Sequence, residues 1–403
     1  MKSILILTLL LSLSSCATKK KINQEGSYLK VVHYNIKELT TEKIQAKPKQ
    51  LQSVRSILSK FDIDILSINE IQYDLENIPT TSQKTIGKNL ESLGNYLGLE
   101  GYSAIFFEAN TGKNAKKKKN GNYYRDYSNK DSRHFADKDS FGIFPGQYSS
   151  GVLIKNDIEV RMVRNISKIK WREFNKNISL NEFANADGSK VNKDILLFDK
   201  NLTDITVRKD GHLFHIILLH TVPAFHFGNK KTVNYARNRD QLRFLEWYLT
   251  GKTDIKVNLK NILPLEKGSS YIALGDWNTE LNHKKNPGSK VLRRLEKKGQ
   301  FWLKSPIAHT NESGSFHQNR MKLQLDYIYF SKNFKSIHAG IYSPTENRKD
   351  LGCEQIREGE MIRSFYDKEK KKKCYSKFSK DFLEMKEASD HLPIWVNLEL
   401  RAN

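Results

Sequence analysis

Eight side chains in this sequence are of types that do chemistry, and each stands at the edge of an otherwise apolar run. They are Asn35, Glu70, His220, Asp276, Asn278, Asp326, Asp390 and His391. The sharpest stretch is Tyr271-Ile272-Ala273-Leu274-Gly275-Asp276-Trp277-Asn278, an apolar run that ends in Gly and then presents a carboxylate and a carboxamide two residues apart. In an extended chain, side chains at i and i+2 point the same way, so Asp276 and Asn278 are expected to address one substrate atom. Four carboxylates, two amides and two imidazoles with no cysteine among them suit a hard cation, Mg²⁺ and alternatively Mn²⁺ or Ca²⁺, rather than structural zinc. Such a set can neutralise a phosphoester, activate a water and stabilise a leaving oxygen. An imidazole partnered by a carboxylate is held in one tautomer, and its charged form is stabilised.

Strands must deliver these groups. Tyr28 to Ile36 reads as a strand ending near Asn35, and Asp62 to Gln72 as a second one ending near Glu70. Leu202–Arg208 and Leu213–Leu219 flank Asp210-Gly211, a hairpin signal whose second strand runs into His220. Lys322 to Phe330 carries Asp326, and Leu392 to Leu400 follows Ser389-Asp390-His391, where Ser389 is expected to shape the turn. Tyr148–Ile154 and Ile158–Val163 read as neighbouring strands joined by a Lys155-Asn156-Asp157 turn. Helical spacing marks Pro48–Lys60, Ser82–Leu97, Val233–Leu249 and Ser289–Lys298. Irregular, polar insertions are expected near 110–146, 168–194 and 343–388. His33, His212, His215, His226 and His317 are read as structural or left without a role. No Gly-rich phosphate loop is present, so use of a nucleoside triphosphate is not indicated.

The 403 residues carry 68 Lys and Arg against 45 Asp and Glu, a formal charge of +23. That excess favours polyanionic partners. The first insertion interleaves Tyr123, Tyr124, Arg125, Tyr127, Arg133 and His134, types that suit base stacking and phosphate contacts. Lys2 followed by the apolar stretch Ile4–Leu13 reads as a signal peptide over 1–15. Leu13-Ser14-Ser15-Cys16 resembles a bacterial lipobox, so Cys16 is the expected lipidation site and membrane anchor, with a tether over 16–27. Ala17 after it carries no retention Asp, which by resemblance to lipoproteins favours the outer membrane; the basic Thr18-Lys19-Lys20-Lys21 that follows favours the periplasmic face, with a surface or secreted location as the alternatives. In that oxidising space Cys353 and Cys374 are expected to pair. One domain over 28–403 and a monomer are expected.

Taken in order, HYNI around Asn35, INEIQ around Glu70, LLHTVPA around His220, GDWNTE around Asp276 and Asn278, LDYIY around Asp326 and ASDHLPI around Asp390 and His391 resemble the endonuclease/exonuclease/phosphatase (DNase I-like) family. The resemblance spans about Leu29 to Leu400. It implies a four-layer α/β/β/α sandwich of two packed mixed β-sheets with the site at one edge. It also implies roles: Glu70 as the principal metal ligand, with Asn35 and Asp390 near the metal or its waters. Asp276 orients or deprotonates the attacking water, Asn278 binds a phosphate oxygen, and His391, oriented by Asp326, is the acid/base or phosphate-stabilising imidazole. His220 contacts the phosphate from the other side, although the glutamate that partners its equivalent in DNase-like members has no match here. The activity implied is metal-dependent hydrolysis of phosphate esters, with nucleic acid as the expected substrate. A sphingomyelinase-like phospholipid phosphodiesterase, a phosphomonoesterase and a non-catalytic envelope-binding protein are the alternatives.

Overall fold

The computed structural model describes residues 27–80, 84–303, 309–313 and 321–401. The signal peptide, Cys16, most of the tether and His317 lie outside them. Two six-stranded sheets dominate. The first has the order β13 (Phe334–Ile341), β17 (Ile394–Leu400), β1 (Tyr28–Leu39), β2 (Ile65–Ile71), β4 (Ser149–Lys155) and β3 (Tyr102–Phe107). The second runs β5 (Glu159–Ile166), β6 (Leu202–Lys209), β7 (His212–Leu219), β8 (Tyr271–Asp276), β12 (Asp326–Phe330) and β9 (Gln300–Phe301). An antiparallel pair of β10 (Asn311–Ser313) and β11 (Met321–Leu323) and a small sheet of β14 (Lys349–Gly352), β16 (Lys372–Lys377) and β15 (Ile362–Asp367) are the other strands among the described residues.

Helices cover the outer faces. On the first sheet lie α1 (Thr41–Ala46), α2 (Lys49–Leu58), α3 (Asn89–Leu97) and α8 (Lys380–Ala388); on the second, α6 (Asn234–Thr250) and α7 (Pro287–Glu296). Single-turn α4 (Ser132–Phe135) and α5 (Trp171–Phe174) sit in the irregular excursions. Strand alternation explains the layering. In β1, Val32, Tyr34 and Ile36 pack outward against Leu51, Val54 and Ile57 of α2, while Leu29 and Val31 face the other sheet. Each such fully buried aliphatic side chain contributes roughly 1.5–3 kcal/mol. The arrangement is the expected α/β/β/α sandwich.

Topology then places the site. Each sheet has one parallel pair, β1 with β2 and β7 with β8, and every other pairing within the two sheets is antiparallel. Parallel neighbours end at the same edge, so Asn35, Glu70, His220 and Asp276 emerge together. Antiparallel neighbours begin there: Asp326 opens β12 directly opposite Asp276, and His391 precedes β17, which runs against β1. Gly275 makes the approach possible. Its φ is +147°, and a Cβ there would lie 1.9 Å from the carbonyl oxygen of Leu219, one residue before His220.

Three expectations need correction. The strands around Lys155-Asn156-Asp157 do not pair: β4 belongs to the first sheet and β5 to the second, and Ile154 and Ile158 both enter the core between them. The second helix starts at Asn89 rather than Ser82, after Gly87 takes a φ of +70° and the Asp74 carboxylate accepts from the Lys88 and Asn89 amides. The insertion over 343–388 ends before α8, whose Phe382, Leu383 and Met385 join the outer core and whose Ser379 caps Phe382. A basic and acidic surface hid that apolar face.

Candidate active site

The inner face of β1 changes character along its length. Leu29 and Val31 are core, and the next two positions on that face, His33 and Asn35, are buried polar groups. β2 does the same with Ser67 and Asn69, which sit beside His33 and Asn35 in the parallel register. Buried polar groups require partners, and these find one another. His391 Nδ1 donates to Asp326 Oδ2 at 2.7 Å. His33 Nε2 donates to Asp326 Oδ1 at 3.2 Å, with Ser67 Oγ 3.0 Å from its other ring nitrogen. The Thr310 hydroxyl donates to Asp326 Oδ2 at 2.8 Å.

Across from this cluster stands Asp276. The far ring nitrogen of His391 is 3.9 Å from Asp276 Oδ2, and His220 Nε2 is 3.5 Å from the same oxygen. Asn35 Nδ2 bridges the two carboxylates, donating to Glu70 Oε1 at 3.0 Å and to Asp276 Oδ2 at 3.2 Å. Glu70 reaches this point through a bulge: its φ is +63° where the β2–β4 register slips, and Glu38 N donates to its other oxygen at 3.2 Å. Bulges next to functional sites re-aim side chains in this way. The Asp276 backbone is fixed by Asn69, whose Oδ1 accepts its N–H at 2.8 Å.

Asp276 and Asn278 do not point in parallel, as an extended chain would have them. Asn278 is left-handed, with φ +49°; its N–H donates to Asp276 Oδ1 at 2.8 Å and its amide donates to the Thr221 carbonyl. Asp390 lies at the margin, with its carboxylate 3.2 Å from Lys37 Nζ. Ser389 shapes the turn: its hydroxyl donates to the Asn35 carbonyl and accepts the His391 N–H. The structure thus gathers Asn35, Glu70, His220, Asp276, Asp326 and His391, sets Asn278 behind Asp276, and places Asp390 beside Lys37. Cys353, which follows β14, and Cys374 of β16 are disulfide-bonded.

Electrostatics separate the groups. Burial pushes Asp276 up to about 7, assisted by the charge of Asp326. Burial also raises Glu70, against the Asn35 hydrogen bond. Burial alone would raise Asp326, but the charge of His391 and the hydrogen bonds from His33 and His391 hold it well below the carboxylate range. Burial would lower His391, and the Asp326 charge and hydrogen bond overcome it, lifting the imidazole to about 10. His220 is pushed well below its ordinary value by burial, then by Lys200 and the neighbouring imidazoles. Its Nδ1 is buried without a hydrogen-bond partner among the described residues, in keeping with the missing glutamate.

The donor set fits a divalent cation. Ligand atoms of Glu70, His220 and Asp276 all lie within 4.8 Å of one another. Among the described residues no Lys or Arg pairs with Glu70 or Asp276; the cationic group nearest Asp276 is the His391 imidazole, 3.9 Å from its Oδ2, which is shared with Asp326. Carboxylates that together carry more negative charge than one shared imidazolium offsets are what a hard cation neutralises.

Two residues escaped the sequence reading. His33 is given no role by the sequence, yet it holds the second oxygen of Asp326; its place two residues before Asn35, on the same strand face, is the available signal. Asn69 was hidden inside the apolar β2 run. The first excursion also reaches the site, since the Tyr127 and Tyr148 hydroxyls are 2.9 Å apart and Tyr148 donates to Glu38 Oε1 at 2.7 Å.

A family model, Endonuclease/Exonuclease/phosphatase family, matches residues 32–391. No curated protein matches the chain. Among solved structures it is similar to an endonuclease/exonuclease/phosphatase family protein from Bacteroides thetaiotaomicron, with 12% identity, 94% of this chain and 100% of that chain covered, and a TM-score of 0.46. It is also similar to a mannosyl-6-phosphatase of Bacteroides thetaiotaomicron, at 13% identity, 92% and 99% coverage and a TM-score of 0.45. D. rerio TDP2, complexed with single strand DNA product, gives 12% identity, 93% and 99% coverage and a TM-score of 0.42.

Proposed function

The chain belongs to the endonuclease/exonuclease/phosphatase family, and on that premise we propose that it is a divalent-metal-dependent phosphodiesterase acting on nucleic acid. The observation that carries the chemistry is the line Asp326–His391–Asp276, with the 2.7 Å bond at one end and the 3.9 Å approach at the other, beside the unpaired carboxylate of Glu70. Asp276, near neutrality, takes a proton from the attacking water. His391, held charged by Asp326, presents its free N–H to the charge that develops on the phosphate oxygens. Asn35 keeps the carboxylates of Glu70 and Asp276 apart and oriented. A cation held by Glu70, with Asp276 beside it and Asn35 and Asp390 near it, would supply neutralisation of the phosphoryl oxygens and a more acidic water. The phosphorus–oxygen bond to the leaving group breaks, giving an alcohol and a phosphomonoester.

Nucleic acid is supported by the charge of +23 and by the excursion tied to the site through Tyr148. In that excursion Lys117, Lys118 and Arg133 lie over the rings of Tyr123, Tyr124 and Tyr127. Anchoring at the envelope through Cys16 is part of the same proposal and rests on the Leu13-Ser14-Ser15-Cys16 sequence. The test is release of acid-soluble nucleotide from single-stranded DNA with Mg²⁺, with EDTA, and by Asp276→Asn. Cleavage is expected with Mg²⁺ only and to vanish in the variant, whose folding is checked by its Tm. Cleavage that survives EDTA or the substitution sinks the reading.

A further inference from the structure

The chain leaves β7 through His220 and returns to α6 by way of Thr221 to Val233. This connection carries Phe225 and Phe227 outward, 52% and 65% exposed, with ring centroids 4.9 Å apart in an edge-to-face pair. Phe225 also stacks on His226 at 5.8 Å. Exposed phenyl rings are ordinarily scattered; here two stand on one short loop that begins directly after His220. The loop is fixed from both sides. The Ala224 N–H donates to the carbonyl of Asn278, and Asn234 donates to the carbonyl of Phe225. On the far side Asn229 donates to the Ala184 carbonyl, and the Ala184 N–H to the Lys231 carbonyl.

Phe227 takes a left-handed φ of +44°, followed by Gly228 at +85°. That backbone is unfavourable for phenylalanine and persists because the bracing on both sides holds it. Next to Phe227 opens a hollow lined by Ala186, Gly228, Asn229, Lys230 and Lys231. Lys230 and Lys231 are exposed, and among the described residues neither pairs with a carboxylate. An aromatic face beside a hollow with two free cations matches a nucleotide, which joins a π-face to a phosphate. A lipid surface would use the rings but has no call on a polar hollow.

Resting on the nucleic-acid reading above, we propose that the Phe225–Lys231 loop is a nucleotide subsite. A base next to the scissile phosphate stacks on Phe225 and Phe227, and the adjoining phosphate sits between Lys230 and Lys231. The bond through Asn278 ties this subsite to the residues that act on the phosphate.

The test compares kcat/KM for a single-stranded oligonucleotide with that for bis(p-nitrophenyl) phosphate, a diester without bases, using the full mature chain and Mg²⁺. In Phe225→Ala/Phe227→Ala the ratio is expected to fall tenfold or more, about what loss of base stacking costs. Phe225→Trp/Phe227→Trp, which keeps aromatic faces, restores it. Lys230→Gln/Lys231→Gln reduces the slope of log(kcat/KM) against log salt for the oligonucleotide by about 1.4, two phosphate contacts on a single strand. A wild type that cleaves the oligonucleotide, with an unchanged ratio in the alanine variant, overturns the subsite and leaves the nuclease standing. A wild type active on bis(p-nitrophenyl) phosphate and inert on nucleic acid overturns both. Binding to anionic vesicles that is lost in the alanine variant, with the ratio unchanged, overturns the nucleotide and gives the loop to the membrane.

Discussion

Asp326→Asn isolates the electrostatic part of the site. The carboxylate accepts from His391 at 2.7 Å, from the Thr310 hydroxyl at 2.8 Å and from His33 at 3.2 Å. Asparagine keeps the volume and one acceptor oxygen but removes the charge. Lifting the His391 imidazole from 6.5 to about 10 favours its protonated form by about 5 kcal/mol. Asp326 supplies the largest favourable share, with Asp276 and Asp390 adding to it. Without that charge, burial dominates and His391 is neutral at pH 8. Ring-proton NMR across pH 5–10 is expected to show wild-type His391 titrating far above 6.5, and the variant at or below it. The kcat at pH 8 falls on the order of 10²–10⁴-fold, as for loss of a positioned acid.

The sign of the stability effect follows from the same shifts. The folded pKa of His391 lies above its unfolded value, so the pair's contribution is complete below 6.5 and fades as pH rises through about 10. Asp326 is held below its unfolded value of 3.8, so its contribution is complete above that and lost in stronger acid. The gap in stability between wild type and variant is therefore widest from roughly pH 4 to 6.5, at about 3–5 kcal/mol for a broken buried pair. A variant with wild-type kcat and an unmoved His391 titration refutes the assignment.

Other outcomes follow from the same structure. Because Asp276 keeps its proton up to about pH 7, a cation must displace that proton; Mg²⁺ measured by calorimetry is expected to bind about tenfold more weakly at pH 6 than at pH 8. Equal affinity at both would remove Asp276 from the cation's surroundings. The Cys353–Cys374 bond spans 21 residues across β14 and β16, and Cys353→Ser/Cys374→Ser should cost the small sheet about 3 kcal/mol. Limited proteolysis reads this as faster cleavage within 349–377, with kcat/KM retained because no site residue lies there. Protection equal to wild type would show that the strands hold without the bridge.

What the sequence disclosed and what it concealed divide along a physical line. Residue type at a strand end was legible: Asn35, His220, Asp276, Asp326 and His391 stand at one edge because parallel strands end where antiparallel ones begin. The hairpin at Asp210-Gly211 was legible for a similar reason, since both residues take the left-handed φ, +49° and +82°, that such turns require. Long-range sheet membership was not. Nothing local distinguishes a turn that pairs β4 with β5 from one that carries the chain between layers. Side-chain direction at the site was also hidden. Glu70 and Asn278 are both left-handed, at φ +63° and +49°, so the period-two rule fails at the positions where the chemistry sits. His33 obeys the rule and was overlooked because an imidazole flanked by Val32 and Tyr34 looks like core packing. Its partner is Asp326, 293 residues away. Alternation gives the face of a strand, and only the closed sandwich shows what the opposite sheet sets against it.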